Sequence, residues 1–241
     1  MIPALGIAAV TLLIACHPLV NPVDPQSTTY TGIPTGSDGD APDPILPAAV
    51  KWELTASHNP GRMLPLEVTA DGSFIEPRNA GSFELWITLS DSFDWEQAEG
   101  AVLWIAATVL SGDTLHFALH LNEVAPEQRR LGWHFWPDGI TNQTRARLRL
   151  VDRNGTIIGE RVVGRLIGDV DGNGTVESGV GGDDERIDAL VGFPVGTDNP
   201  ETIRADLDLD GTIQSMNDGN VVSDGSYLDT TLPATAPTFP D

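Results

Sequence analysis

The sequence predicts a mainly β fold: an antiparallel two-sheet sandwich followed by a small α-helical segment organised around two acidic loops. Three observations carry this prediction. Between about Val50 and Leu166 apolar residues recur with a period of two, which sends alternate side chains to opposite faces of a strand. Gly and Pro supply 25 and 18 of the 241 residues, a composition that favours short strands and turns over long helices. After Gly168 an acidic ten-residue segment occurs twice, with oxygen-bearing side chains at alternate positions.

Charge narrows the partners. The chain carries 13 basic and 35 acidic side chains, a net charge of −22, and Lys51 is its only lysine. Such a surface repels phosphate backbones, so no nucleic-acid partner is expected. The acid is concentrated: Asp169 to Asp241 holds 16 acidic residues against Arg186 and Arg204. A block of that kind either stays solvated or collects cations. Cys16, the single cysteine, excludes an internal disulfide framework and a Cys-rich zinc site.

In chain order, the first expected element is an export signal over residues 1–15. Ile2 to Ala15 is apolar, about the length of a signal-peptide core and too short to span a bilayer. It ends in Leu13-Ile14-Ala15-Cys16, which resembles the lipobox of bacterial lipoproteins. That resemblance implies cleavage before Cys16 and acylation of its thiol and new amino group. The protein would then be exported and held by lipid alone, at the bacterial cell surface or in the periplasm. No Lys or Arg precedes the apolar run, a departure from the usual positive start. Residues 16–47 follow as a disordered tether. Seven prolines from Pro18 to Pro47, spaced by Ser, Thr, Gly and Asp, cannot bury a core. At ~3 Å per residue the tether reaches roughly 90 Å at most, enough to hold a domain clear of a membrane.

Residues 48–166 are the expected sandwich. Phe83, Leu85, Ile87 and Leu89 are interleaved with Glu84, Trp86 and Thr88. Leu115, Phe117, Leu119 and Leu121 alternate with His116, Ala118 and His120; Ala146, Leu148 and Leu150 alternate with Arg145, Arg147 and Arg149. Val102 to Leu110 is continuously apolar, as expected of a strand covered on both faces or central in a sheet. Asp71-Gly72, Ser111-Gly112-Asp113, Pro137-Asp138-Gly139 and Asn154-Gly155 separate these runs as turns. About seven to nine short strands in this span suggest an antiparallel β-sandwich of immunoglobulin-like size.

Nothing in that span marks an enzyme. His116 and His120 share a strand face but stand ~13 Å apart, too far for one metal ion. Asp94, Glu96 and Glu99 fall in one loop-like stretch with no partner carboxylate elsewhere. No Gly-x-Ser-x-Gly nucleophile elbow occurs. The tryptophans offer a binding role instead: Trp86 and Trp104 fall in the polar phase of their strands, where exposed rings would stack sugars. If a second layer covers that face, the same rings belong to a core.

The C-terminal region is more specific. Asp169-Val-Asp-Gly-Asn-Gly-Thr-Val-Glu-Ser178 and Asp206-Leu-Asp-Leu-Asp-Gly-Thr-Ile-Gln-Ser215 share five of ten positions. Oxygen side chains at positions one, three and five, then glycine at six, let a chain wrap one Ca²⁺, with the next residue offering its carbonyl. Hard oxygen donors suit calcium, and the nitrogen and sulfur donors of zinc or copper sites are missing. The pair resembles a type I dockerin, the two-loop calcium module related to half of an EF-hand, over residues 167–233, with Ile203-Arg204-Ala205-Asp206 opening the second loop.

The resemblance implies two calcium ions and a set of ligands. Asp169, Asp171 and Asn173 supply side-chain oxygens in the first loop, and Thr175 gives its carbonyl. The family closes its loop with an acidic residue at position twelve. Here Gly179-Val-Gly-Gly182 intrudes, so closure falls to Asp184, with Asp183 as an alternative. In the second loop Asp206, Asp208 and Asp210 repeat the pattern, Thr212 gives the carbonyl, and Asp218 closes one residue late. The glycine-rich insertion adds closure entropy and should weaken the first site.

A helix is expected after each loop. Asp184 to Val191 places Ile187, Leu190 and Val191 on one stripe, ended by Gly192 and Pro194. Asp218 to Leu228 contains Gly219 and Gly225, so only a turn or two is expected there. Residues 234–241 read as a disordered tail. In dockerins these helices carry the face that docks onto a cohesin, so the resemblance implies a non-catalytic surface lipoprotein with a cohesin-type partner. The competing reading is a carbohydrate-binding accessory protein of a polysaccharide-degrading system, acting through Trp86 and Trp104.

Overall fold

The period of two becomes strands wherever it was read. In the computed structural model, which describes residues 48–79, 83–109, 111–135 and 141–240, ten strands form two sheets. The first contains β1 (Ala49–His58), β2 (Arg62–Glu67), β4 (Phe83–Leu89), β7 (Glu123–Ala125) and β8 (Arg130–Phe135), in the order β2-β1-β4-β8-β7. The second contains β3 (Ile75–Glu76), β5 (Val102–Thr108), β6 (Thr114–His120), β9 (Thr144–Val151) and β10 (Ile157–Arg165), in the order β3-β10-β9-β5-β6. All pairings are antiparallel except the short β3–β10 pair. The expected export signal with Cys16 and the tether of 16–47 lie outside the described residues.

The inner faces of the two sheets share one core. Trp52, Leu85, Ile87, Leu131 and Trp133 of the first meet Leu103, Ile105, Leu148 and Leu150 of the second, all but fully buried. Each such side chain stabilises the fold by ~1.5–3 kcal/mol relative to exposure. Along one open side β1 comes against β10 at Gly159. A Cβ there would lie 2.6 Å from the Ala49 Cβ and 3.1 Å from the Trp52 ring, so only glycine fits.

The chain leaves β10 and builds a second, helical lobe: α1 (Asp183–Leu190), α2 (Pro200–Ala205) and α3 (Asp218–Ser223). On α1, Ile187 and Leu190 are buried as the stripe predicts, but Val191 lies beyond the last turn and is 44% exposed. The helix α2 was not read from the sequence. Its signal was local: Asn199 caps it by accepting from the Glu201 N–H, and Pro200 opens the first turn.

Lobe and strands form one compact unit. Val176, Ile187, Ile203, Leu207 and Val222 join the same buried cluster as the strand residues. Three links fix the junction. The Asn59 N–H donates to Leu209 O at 2.8 Å, and the Asn79 N–H to Leu207 O at 2.9 Å. The Arg204 guanidinium spans both parts, donating to Ile75 O, Asp169 O and Val170 O.

Residues 234–240, expected as a disordered tail, instead run across the outer face of the second sheet. Leu232 begins the path over Gly164 of β10, where a Cβ would meet its Cδ1 at 2.6 Å. Arg145 then donates to Ala234 O at 3.0 Å and Arg147 to Pro237 O at 2.9 Å. The Arg149 guanidinium lies 4.3 Å from the Phe239 ring centroid, and His116 of β6 meets the same ring at 6.3 Å. This covering explains why Ala106, on the outward face of β5, is fully buried. No helix among the described residues is long and apolar enough to cross a membrane.

Candidate metal centre

Each acidic repeat folds into a loop held by its own carboxylates, and the two loops use equivalent positions. In the first, Asp183 accepts from the Val170 N–H at 2.6 Å, the Asp171 N–H at 3.1 Å and the Glu177 N–H at 3.0 Å. In the second, Asp218 accepts from the Leu207 N–H at 2.7 Å, the Asp208 N–H at 3.3 Å and the Gln214 N–H at 2.9 Å. Those donors stand at positions two, three and nine of each loop. Asp183 is therefore the counterpart of Asp218, and both are fully buried.

Asp184, expected to close the first loop, is not brought to it. Its carboxylate turns to the glycine-rich insertion and accepts from the Gly179 N–H at 2.8 Å. Gly179 and Gly181 hold φ of +95° and +84°, conformations that a side chain would strain. They let the insertion loop outward, so that Asp183 at position fifteen, one residue earlier than expected, takes the closing place.

Within each loop the other expected residues are linked by hydrogen bonds. Asp171 accepts from the Asn173 N–H, and Asn173 from the Thr175 N–H. Asp208 accepts from the Asp210 N–H, and Asp210 from both the N–H and the hydroxyl of Thr212. Two residues not singled out from the sequence take part. Glu177 accepts from the Asn173 amide at 2.9 Å, and the Gln214 amide donates to Asp210 at 3.1 Å. Both occupy position nine of the repeat, so the duplication itself held the signal.

Carboxylate oxygens of Asp169, Asp171 and Asp183 lie within 4.8 Å of one another, as do those of Asp206, Asp208 and Asp210. Burial, with the Asp183 charge adding to it, pushes Asp169 up to about 7 against the opposing Gly174 N–H. Burial likewise raises Asp183 and Asp218 to about 6, and Asp208 is raised for the same reason. Such groups resist ionisation unless a positive charge stands among them.

The first residues of the loops differ. Both oxygens of Asp169 are occupied by loop amides: Oδ1 accepts from Gly172 and Asn173, and Oδ2 from Gly174. The Oδ2 of Asp206 accepts from the Gly211 N–H at 3.0 Å and meets His58 Nδ1 at 2.5 Å. Its Oδ1 is buried with no hydrogen-bond partner. A buried carboxylate oxygen without a donor is costly unless a positive charge stands beside it.

Trp86 and Trp104 are not brought together. Trp86 stands on the outward face of the first sheet, its indole N–H on Glu84, with the Arg130 guanidinium 4.8 Å from the ring and Gly132 beneath it. Trp104, 39% exposed, stands on the outward face of the second sheet. On opposite sides of the molecule they cannot line one sugar platform. Neither a protein-family model nor a curated protein sequence matches the chain. The loops' own geometry is therefore the ground for any functional reading.

Proposed function

We propose that this protein is a non-catalytic, exported surface lipoprotein in which an immunoglobulin-like sandwich carries a dockerin-like module that binds two calcium ions. Asp169, Asp171, Asn173 and Asp183 hold one ion, and Asp206, Asp208, Asp210 and Asp218 the other, with the Thr175 and Thr212 carbonyls completing the loops. The observation that carries this reading is the Asp206 carboxylate, fully buried with Oδ1 lacking any donor. A cation there would supply the positive charge that the raised carboxylates lack. The donors are all oxygen, which favours calcium over zinc or copper.

The same reading makes α1 and α3 a docking face for a cohesin-type partner, displayed through a lipid on Cys16. Incorporation of labelled palmitate, lost in Cys16→Ser, tests the anchor. Calorimetric titration of the chelator-treated chain tests the module. Two calcium ions should bind, and no heat of binding at millimolar calcium, about the weak limit for extracellular modules, would contradict the proposal.

A further inference from the structure

The second acidic loop is connected to the strands by a chain of buried polar groups. His58, the last residue of β1, is 1% exposed, and its Nδ1 stands 2.5 Å from Asp206 Oδ2. Its other nitrogen, Nε2, faces Arg78 NH1 at 3.2 Å. A guanidinium only donates, so Nε2 must accept and the ring proton sits on Nδ1, aimed at Asp206. Arg78 is itself fully buried and fixed. It donates to Glu76 through Nε and NH2 at 2.6 Å each, to Leu64 O at 2.9 Å and to Leu54 O at 3.1 Å.

We infer that His58 is a positioning residue for the second metal loop: it holds Asp206 through Oδ2 and so presents Oδ1 to the bound cation. The inference rests on the calcium reading and adds to it a requirement for the strand body. With His58 and the Gly211 N–H both on Oδ2, that oxygen is taken and the carboxylate cannot rotate freely. The first loop has no equivalent, because Asp169 is fixed by three amides of its own loop. Imidazole to Asp206 therefore replaces loop amides that the second loop does not use. Outer hydrogen bonds of this kind orient metal-ligating carboxylates. The flanking link from the Asn59 N–H to Leu209 O keeps His58 and the loop in register. His58 is no ligand itself, since both of its nitrogens are engaged.

The test uses the full chain and calcium titration. His58→Leu should weaken the second site roughly 10–100-fold and leave the first unchanged, while His58→Gln, which can still donate to Asp206 and accept from Arg78, recovers most of the loss. Wild-type affinity at both sites in His58→Leu overturns the inference alone. Equal loss at both sites marks a merely structural role and also overturns it. No calcium binding by the wild-type chain overturns the calcium reading and the inference together. A measurement on the unaltered chain guards against a leucine variant that does not fold. Long-range proton–nitrogen spectra should show His58 as the Nδ1–H tautomer, with a resonance that shifts as the second loop's site fills. A His58 signal insensitive to calcium at either site overturns the inference.

Discussion

Asp183 and Asp184 are adjacent, chemically identical and differently employed. Asp183 receives three amide N–H groups from across the first loop; Asp184 caps the insertion. Asp183→Asn places an NH₂ against at least one of those donors, leaving a buried amide unsatisfied at a cost of about 1–3 kcal/mol. Calcium affinity at the first site should fall by at least about tenfold, whereas Asp184→Asn should change it less than about threefold. Titrating both variants checks this; equal losses would contradict the assignment. Alternation of oxygen side chains and the position-six glycine were legible without a structure, because spacing along the chain sets them. The choice between neighbouring aspartates was not. It depends on how far Gly179 and Gly181 turn the insertion, and φ is not written in residue order.

Among elements, the C-terminal segment departs furthest from expectation. Residues 234–240 contain no apolar period, so their composition reads as a tail. What fixes them is the other partner: Arg145, Arg147 and Arg149 alternate outward on β9 and meet two carbonyls and one ring. The arginine alternation was legible; its occupant was not, because backbone carbonyls carry no sequence signature. Truncation after Pro233 should uncover Ala106 and half-buried Phe239's site, lowering stability by about 1–2 kcal/mol. Thermal unfolding should then shift by roughly 2–8 °C. An unchanged midpoint would mean that the segment adds nothing to the fold. The strands themselves were read well because a period of two directly separates core from surface, as Leu85 and Ile87 against Glu84 and Trp86 illustrate.

At the scale of the molecule, the lobe and the strands share one buried cluster, so metal occupancy should be felt throughout. Asp169 at about 7 and Asp183 and Asp218 at about 6 lie above their usual value of 3.8. Folding raises these affinities for protons, so their contribution is fullest below about pH 4 and is lost as pH rises through 6 and 7. The chelated chain should therefore melt at lower temperature at pH 7.5 than at pH 5.5. Calcium should restore more stability at the higher pH, where it no longer competes with protons. Near-ultraviolet dichroism from buried Trp52 and Trp133 should follow the same transition as the lobe, since Asp206, His58 and Arg78 connect them. A calcium effect that grows as pH falls would contradict this linkage.

The central claim is that the two acidic loops are two separate calcium sites. Native mass spectrometry of the metal-free chain, titrated with calcium to the millimolar range, addresses it most directly. The wild-type chain should gain the mass of two calcium ions, Asp171→Asn and Asp208→Asn should each gain one at intermediate calcium, and the double variant none. A wild-type chain that gains no calcium, or a double variant that still gains two, would contradict the account.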